Sequence, residues 1–503
     1  MSKTKVGIKI FFVSIFFTLF EGILTLIRTK VILSIYGVET NSVLQIAIQF
    51  SAFLVLFESG ITLAYQYEMY KPLLENRTKK ISELACGLSK NLTRISLKMM
   101  IGALAVSMIY SFVLSSKGIT YLDAFMILSV MGTRLIAPYL FVLKDKTLLL
   151  IKEKGYIVST VQGTASCIVL TIEIILAEKF HLPLPLLLSV YILVILGTGP
   201  IYRYYVNREY NNSLSCNAGP DFSPTKMTKD ILVHQISSLI NSNSDNLVLS
   251  IFYSLKSVTV YSAYSYIVSF PIVIWTKIIT SLKPTMALKI QNKDKSAYFF
   301  YREVLSLSCF CGAWILPVYY LFSSSFVALW IGREYQVNQL AVFLFGLIMV
   351  RSLMMQPVFG ARDARGLFND TKYFTLVQAL LNISISIVLV GPFGITGILA
   401  STIITTYFFA DLLNIRIVYR VVFKNFPLII FDYLLIFLSF GLTTMIYSIR
   451  PVENITTWKI FFISATEYTI ISGIIAFALI FTMNNAFRSL VNRFVPRRKL
   501  RER

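Results

Sequence analysis

Ser14, Thr18, Glu21, Thr25 and Arg28 recur at alternating spacings of four and three, which sets all five on one face of a helix in an otherwise apolar run. At an offset of 216 the stripe returns as Asp230, His234, Ser237, Asn241 and Ser244, every position polar, and runs on into Asp245 and Asn246. Charged residues also interrupt the apolar stretches at Lys30, Glu58, Arg134, Glu173, Lys277, Arg351 and Asp411. A charge at the centre of a bilayer costs at least about 2.5–3.5 kcal/mol, so such residues face a partner, an interior or a water-filled cavity. Arg28, Lys30, Arg134, Lys277 and Arg351 are candidates to hold an anion, because guanidinium groups grip phosphate oxygens in pairs. Glu58 and Asn241 are candidates for further substrate contacts. Glu21 and Asp245 are candidates for a coupling ion, H⁺ or Na⁺, since a buried carboxylate takes up either. His234 is a candidate proton relay. Structural readings stand beside these: ion pairs, snorkelling of Arg28 and Lys30 to an interface, Ser/Asn bonds between packed helices, and a hydrogen-bonded core histidine.

The elements that must position these residues are membrane helices. Of the 503 residues 56% are hydrophobic and only 14% charged, against about 25% charged in a soluble domain. Runs of roughly 20 apolar residues suffice to cross a bilayer core of about 30 Å. They predict fourteen spans, near 8–34, 42–65, 97–115, 121–143, 157–177, 184–203, 230–252, 258–282, 304–322, 338–360, 373–391, 394–415, 427–448 and 460–482. The N-terminal run has Lys3, Lys5 and Lys9 ahead of it but contains Glu21 and lacks a small-residue cleavage site, so it is read as the first span and not as a signal peptide. The five cysteines form no CxxC and no cluster with the two histidines, so neither a disulfide framework nor a metal site is expected. No GxxxxGK[ST], GxGxxG or HExxH occurs; transport without cofactor chemistry is expected, not catalysis.

The net charge of +22 is explained by topology. With both termini cytoplasmic, and with the span-end cations Lys9, Arg28, Lys30, Lys98 and Arg203 counted with the side they adjoin, 36 of the 47 Lys and Arg fall on the inner side of the fourteen-span reading, 8 on the outer side, and Arg134, Lys277 and Arg351 deep within spans. The basic tail 497–503 then anchors the chain near anionic lipid, and no nucleic-acid partner is needed. A repeat runs through the same map. VILSIYG at 31–37 resembles LVLSIFY at 247–253, Arg134 returns as Arg351, Tyr156 as Tyr373, and Val161-Gln162 as Val377-Gln378, all at offsets of 216 or 217. Six spans per copy give a parallel repeat, whose substrate site is expected between the halves. The expected division is 1–206 for the first six-helix lobe, 207–229 for a cytoplasmic linker, 230–426 for the second lobe, and 427–503 for spans 13 and 14 with the tail.

These features resemble the Wzx-type polysaccharide flippases of the multidrug/oligosaccharidyl-lipid/polysaccharide (MOP) exporter superfamily. The resemblance rests on two six-helix halves plus two helices and on the Ile35-Tyr36-Gly37 turn after span 1. It rests also on LFESGITLA at 56–64, similar to the family's LDxGL stretch with Glu58 at the acidic position and Gly60 at the glycine, and on Ser281-Leu282-Lys283-Pro284, similar to its xLxP ending. No defined sugar-binding motif is matched. The resemblance implies an all-α, MOP/MATE-like integral membrane protein of about fourteen helices in the bacterial plasma membrane, V-shaped, with alternating access. It implies flipping of an undecaprenyl-pyrophosphate-linked oligosaccharide to the outer leaflet for O-antigen, capsule or exopolysaccharide assembly. The partners implied are that lipid-linked substrate, membrane lipids, and a polysaccharide polymerase with its chain-length machinery. Spans 13 and 14 would suit a lipid groove. A MATE-like cation-coupled drug antiporter is the alternative; a membrane-embedded glycan polymerase is disfavoured by the short outer loops.

Overall fold

A computed structural model describes residues 3–58, 60–214, 219–224, 239–241, 243–452 and 455–494. Among these residues the secondary structure is helical, without a strand. In chain order the helices are α1 (Lys3–Leu54), α2 (Ile61–Leu74), α3 (Thr78–Ser115), α4 (Tyr121–Phe141), α5 (Leu143–Ile151), α6 (Gly155–Phe180), α7 (Leu184–Glu209), α8 (Asp245–Phe252) and α9 (Leu255–Gln291). They continue with α10 (Ala297–Trp330), α11 (Gln339–Ala364), α12 (Phe368–Thr405), α13 (Leu412–Ile417), α14 (Ile429–Ile449), α15 (Trp458–Met483) and α16 (Asn485–Phe494). Two π-helical turns, Thr406–Asp411 and Val418–Phe423, flank α13.

Among the described residues eleven helices are long and apolar enough to cross a membrane, fewer than the fourteen spans expected. The difference has a geometric cause. α1 has 52 residues, and at about 1.5 Å per residue a straight rod of that length would be more than twice as long as a bilayer core is thick. It is broken at Gly37 (φ 83, ψ 176), the turn after Tyr36, and so carries the expected spans 1 and 2. α12 breaks at Gly394 (φ 54, ψ −130) and folds back on itself. Ser386 meets Ser401 at 2.5 Å, and Asn382 Nδ2 donates to the hydroxyls of Thr402 (3.2 Å) and Thr405 (3.3 Å). These pairs are symmetric about Gly394, which identifies a helical hairpin; a Cβ on Gly397 would lie 2.3 Å from the Leu389 carbonyl oxygen, so only glycine permits so close an approach. The first nine residues of the expected span 7, 230–238, lie outside the described residues, and α8 forms its end.

Two stretches read as connections are helical. Most of α2 and the first half of α3 lie where a loop was expected between spans 2 and 3. Ile81, Leu84, Leu88, Leu92 and Ile95 repeat at three and four and are all buried, so this part of α3 is an amphipathic extension of its span. It packs on Tyr65 and Met69 of α2 and on Tyr202 and Val206 of α7. Opposite faces carry exposed Phe12, Phe16, Phe112, Leu193, Val388 and Ile474, apolar surface suited to lipid.

The chain divides into two compact units, Met1–Thr259 and Val260–Arg503. α8 and the first turn of α9 belong to the first. Asn41 Nδ2 donates to the Thr259 hydroxyl at 2.9 Å, and the Ser42 hydroxyl reaches the Leu255 carbonyl at 2.6 Å. The offset of 217 is visible in backbone detail. α2 ends with Asn76 N donating to Leu73 O (3.3 Å) and Arg77 N to Pro72 O (2.9 Å); α9 ends with Lys293 N to Ile290 O (3.2 Å) and Asp294 N to Lys289 O (3.0 Å). Both Asn76 and Lys293 are left-handed at φ 52.

Candidate functional site

In the first unit the polar face of α1 meets α6 and α4. α1 and α6 approach closely because Gly163 has no side chain: a Cβ there would sit 2.3 Å from the Phe17 ring. Thr120 caps the start of α4, and His181 in the left-handed region followed by Pro183 turns α6 into α7. Tyr36 OH donates to Leu182 O at 2.5 Å, pinning that turn to the break in α1. The result brings Arg28, Arg134 and Glu173 together. Glu173 is fully buried; its Oε1 accepts from Nη1 of Arg134 at 2.6 Å and its Oε2 from Nε of Arg28. Nη1 of Arg134 also donates to Leu188 O at 3.2 Å, and its guanidinium lies 4.6 Å from the centre of the Tyr191 ring.

Two guanidinium groups share one carboxylate, so the cluster carries a net positive charge inside the candidate spans. The arginine side chains are only 11% and 15% exposed. Among the described residues, Nε and Nη2 of Arg134 and both Nη groups of Arg28 make no hydrogen bond, leaving donors for an anion. Tyr191 also lines a cavity of about 100 Å³ with Lys146, Gln162, Ser166 and Thr198. Lys146 Nζ donates to Gln162 Oε1 at 2.7 Å.

The second unit treats the repeat mate of Arg134 differently. Arg351 on α11 is chelated by Asp411: Nε to Oδ2 at 2.8 Å and Nη2 to Oδ1 at 2.7 Å. Asp411 ends the π-helical turn that follows α12. This pair is neutral. The two arginines recruit acids from positions the repeat does not relate, since at an offset of 217 Glu173 falls on Val390 and Asp411 on Val194. A second bidentate pair joins Arg302 on α10 to Asp432 on α14 at 2.6 and 3.2 Å. Asn484, after α15, donates to Asp432 Oδ1 at 2.9 Å, and its own Oδ1 accepts from the amides of Ala486 and Phe487 at the start of α16.

The other predicted site residues are dispersed. Glu58 is buried and spent on backbone: its Oε1 accepts from Thr62 N at 2.7 Å and its Oε2 from Gly60 N at 3.3 Å, capping α2. Lys30 is exposed, two residues from Arg28 but off the cluster face. Glu21 and Lys277 are half-buried, Asp245 is buried at the start of α8, and all three are engaged by neighbours. Asn241 is half-buried. His234, with Asp230 and Ser237, lies outside the described residues, as does the basic tail. Glu173, Tyr191, Lys146, Asp411 and the Arg302–Asp432 pair were not among the predicted site residues. Glu173 and Asp411 did show a signal, as carboxylates inside apolar runs, but nothing in the spacing linked them to an arginine.

By sequence, no family model and no curated protein matches the chain. By structure, the chain is similar to a lipid II flippase, MurJ, in an inward closed conformation: TM-score 0.68, 16% identity, 95% of this chain and 99% of that one covered. It is also similar to an inward-facing multidrug resistance MATE family transporter of the MOP superfamily (TM-score 0.64, 11% identity, 82% and 98% covered). A Vibrio cholerae MATE transporter matches at TM-score 0.55 and 13% identity, with 83% and 98% covered. The fold is therefore of the MurJ and MATE type, as expected. The 5% left unmatched by the flippase is shorter than α14 and α15 together, so that likeness extends into the last two spans.

Proposed function

We propose that the chain is a membrane transporter that flips a pyrophosphate-linked, lipid-anchored oligosaccharide across the plasma membrane for surface polysaccharide assembly. The observation that carries this reading is the Arg28–Glu173–Arg134 cluster, two guanidiniums on one buried carboxylate. A net charge held within spans is costly, and an anion arriving there supplies the missing counter-charge. The free guanidinium donors match phosphoryl oxygens in geometry and charge. Alternating access of the kind the notion of a flippase requires would let the lipid tail stay in the bilayer while the headgroup crosses, and Glu21 or Asp245 would take the coupling ion. Arg351 belongs with the scaffold in this reading, because Asp411 already neutralises it. The MATE-like likeness supports a cation antiporter less well. Exporting an organic cation needs a carboxylate to receive it; Glu173, Asp411 and Glu58 are all committed, which leaves Glu21 and Asp245 as the acids such an antiporter would use.

The test replaces Arg28 and Arg134 singly with Gln in cells, with protein level as control. Surface polysaccharide and the leaflet location of its lipid-linked precursor are measured. Lost surface glycan with precursor retained on the inner leaflet is the expected result. Normal glycan in both variants at normal protein level would sink the proposal, and a loss of drug efflux instead would favour the antiporter.

A further inference from the structure

A separate cationic pocket lies in the second unit, away from the Arg351 pair. It measures about 450 Å³, within the range of small-molecule sites, and forms where the end of α9, the end of α11 and the π-helical turn after α13 meet. Lys293, Lys295, Arg365 and Lys424 line it, with Asp294 the one acid and Tyr298 and Phe423 as apolar wall. Asp294 does not neutralise this set. Its Oδ1 accepts from Ser296 N at 2.8 Å and its Oδ2 from Lys289 at 3.1 Å, contacts that hold its carboxyl below the ordinary carboxylate range. Among the described residues no ion pair engages Lys293, Lys295, Arg365 or Lys424. The ends of α9, α11 and the π-helical turn supply partial negative charge, roughly half a charge each, while the N-terminus of α10 at Ala297 supplies partial positive charge. Three negative ends, offset by one positive end, do not balance four cations.

The first unit contains the internal control. Its corresponding pocket, about 200 Å³, is lined by Ser82, Leu148, Val206 and Asn207, which at offsets of 216 or 217 map onto Tyr298, Arg365, Val422 and Phe423 or Lys424. There both cations are paired with an acid: Lys144 and Arg203 share Asp145 at 3.3 and 3.9 Å, so that pocket keeps a smaller excess of positive charge than the second unit's four cations against Asp294. The turn also differs in chemistry. Asn76 takes the left-handed conformation, as asparagine readily does, where the second unit places Lys293 at the same φ of 52. Lys424 is left-handed too, at φ 53. Lysine is a poor residue for that backbone region, so neither the fold nor the turn accounts for the charge.

We infer that this pocket binds a phosphate-bearing anion, at the helix ends the charge asymmetry assigns to the cytoplasm. Two sources share that chemistry, the headgroup of an anionic lipid and a soluble phosphorylated compound. The full-length chain in detergent is titrated with inorganic pyrophosphate, following the thermal midpoint. In parallel, nanodiscs of phosphatidylcholine with and without phosphatidylglycerol are made, and retained phosphatidylglycerol is counted by native mass spectrometry. The variants are K293Q, K424G and, as control, K144Q in the corresponding first-unit pocket. K424G places the residue best suited to φ 53, so it folds at least as well as a lysine there and separates lost binding from lost folding. Stabilisation by pyrophosphate, weakened roughly tenfold by K293Q or K424G and unchanged by K144Q, assigns a soluble anion. Phosphatidylglycerol retained by the parent and lost by those variants, with pyrophosphate inert, assigns a lipid headgroup. Parent-like behaviour of K293Q and K424G with both probes overturns the inference, as does an equal weakening by K144Q.

Discussion

At the scale of the residue, the cluster around Glu173 makes an asymmetric prediction. Glu173→Gln leaves two guanidiniums facing each other without a counter-charge, a loss of about 3–5 kcal/mol by analogy with broken buried pairs. Its thermal midpoint in nanodiscs should fall steeply. Arg28→Gln instead leaves a neutral Arg134–Glu173 pair, so the protein should fold near its parent's midpoint while losing transport. A midpoint for Arg28→Gln as low as that for Glu173→Gln would make the cluster scaffold only. The buried cations Arg28, Arg134 and Arg351 were recognisable in the sequence because charge inside an apolar run is conspicuous. Their different fates were not, since a guanidinium's worth depends on whether the nearest carboxylate is shared or its own.

At the scale of the element, breaks matter as much as helices. Gly37 was marked by the turn after span 1, and the gap between spans 11 and 12 fell beside Gly394. Both glycines take positive φ, which only a residue without a Cβ adopts at little cost. Gly394→Ala should destabilise the α12 hairpin by about 1–3 kcal/mol, seen as a lower thermal midpoint and faster hydrogen exchange around Ser386 and Ser401. A parent-like midpoint would show that the turn tolerates a side chain. Most of α2 and the first half of α3 were missed because their burial comes from packing on α7, and a mixed sequence of that kind reads as a polar connection until a partner covers its apolar face.

At the scale of the molecule, each unit is held together by its own ties. In the second, Arg302, Asp432 and Asn484 join α10, α14, α15 and α16, so the last two spans are bound into that unit by charge as well as by packing. Asp432→Ala strips the buried Arg302 of its partner and should cost about 3–5 kcal/mol, read as a lower midpoint and as protease access to the 455–494 region. Unchanged protection there would make the network dispensable. The sequence by itself determined that this is a multi-pass helical membrane protein and where most of its spans lie, because hydrophobic thickness is a property of local composition. It also exposed the duplication, which survives as a common offset. Only the tertiary structure decided which carboxylate meets which arginine, which of two corresponding pockets keeps unpaired cations, and that Glu58 caps a helix. Those outcomes depend on distances between residues far apart in the chain, and a change of a few ångströms turns a compensated charge into an available one.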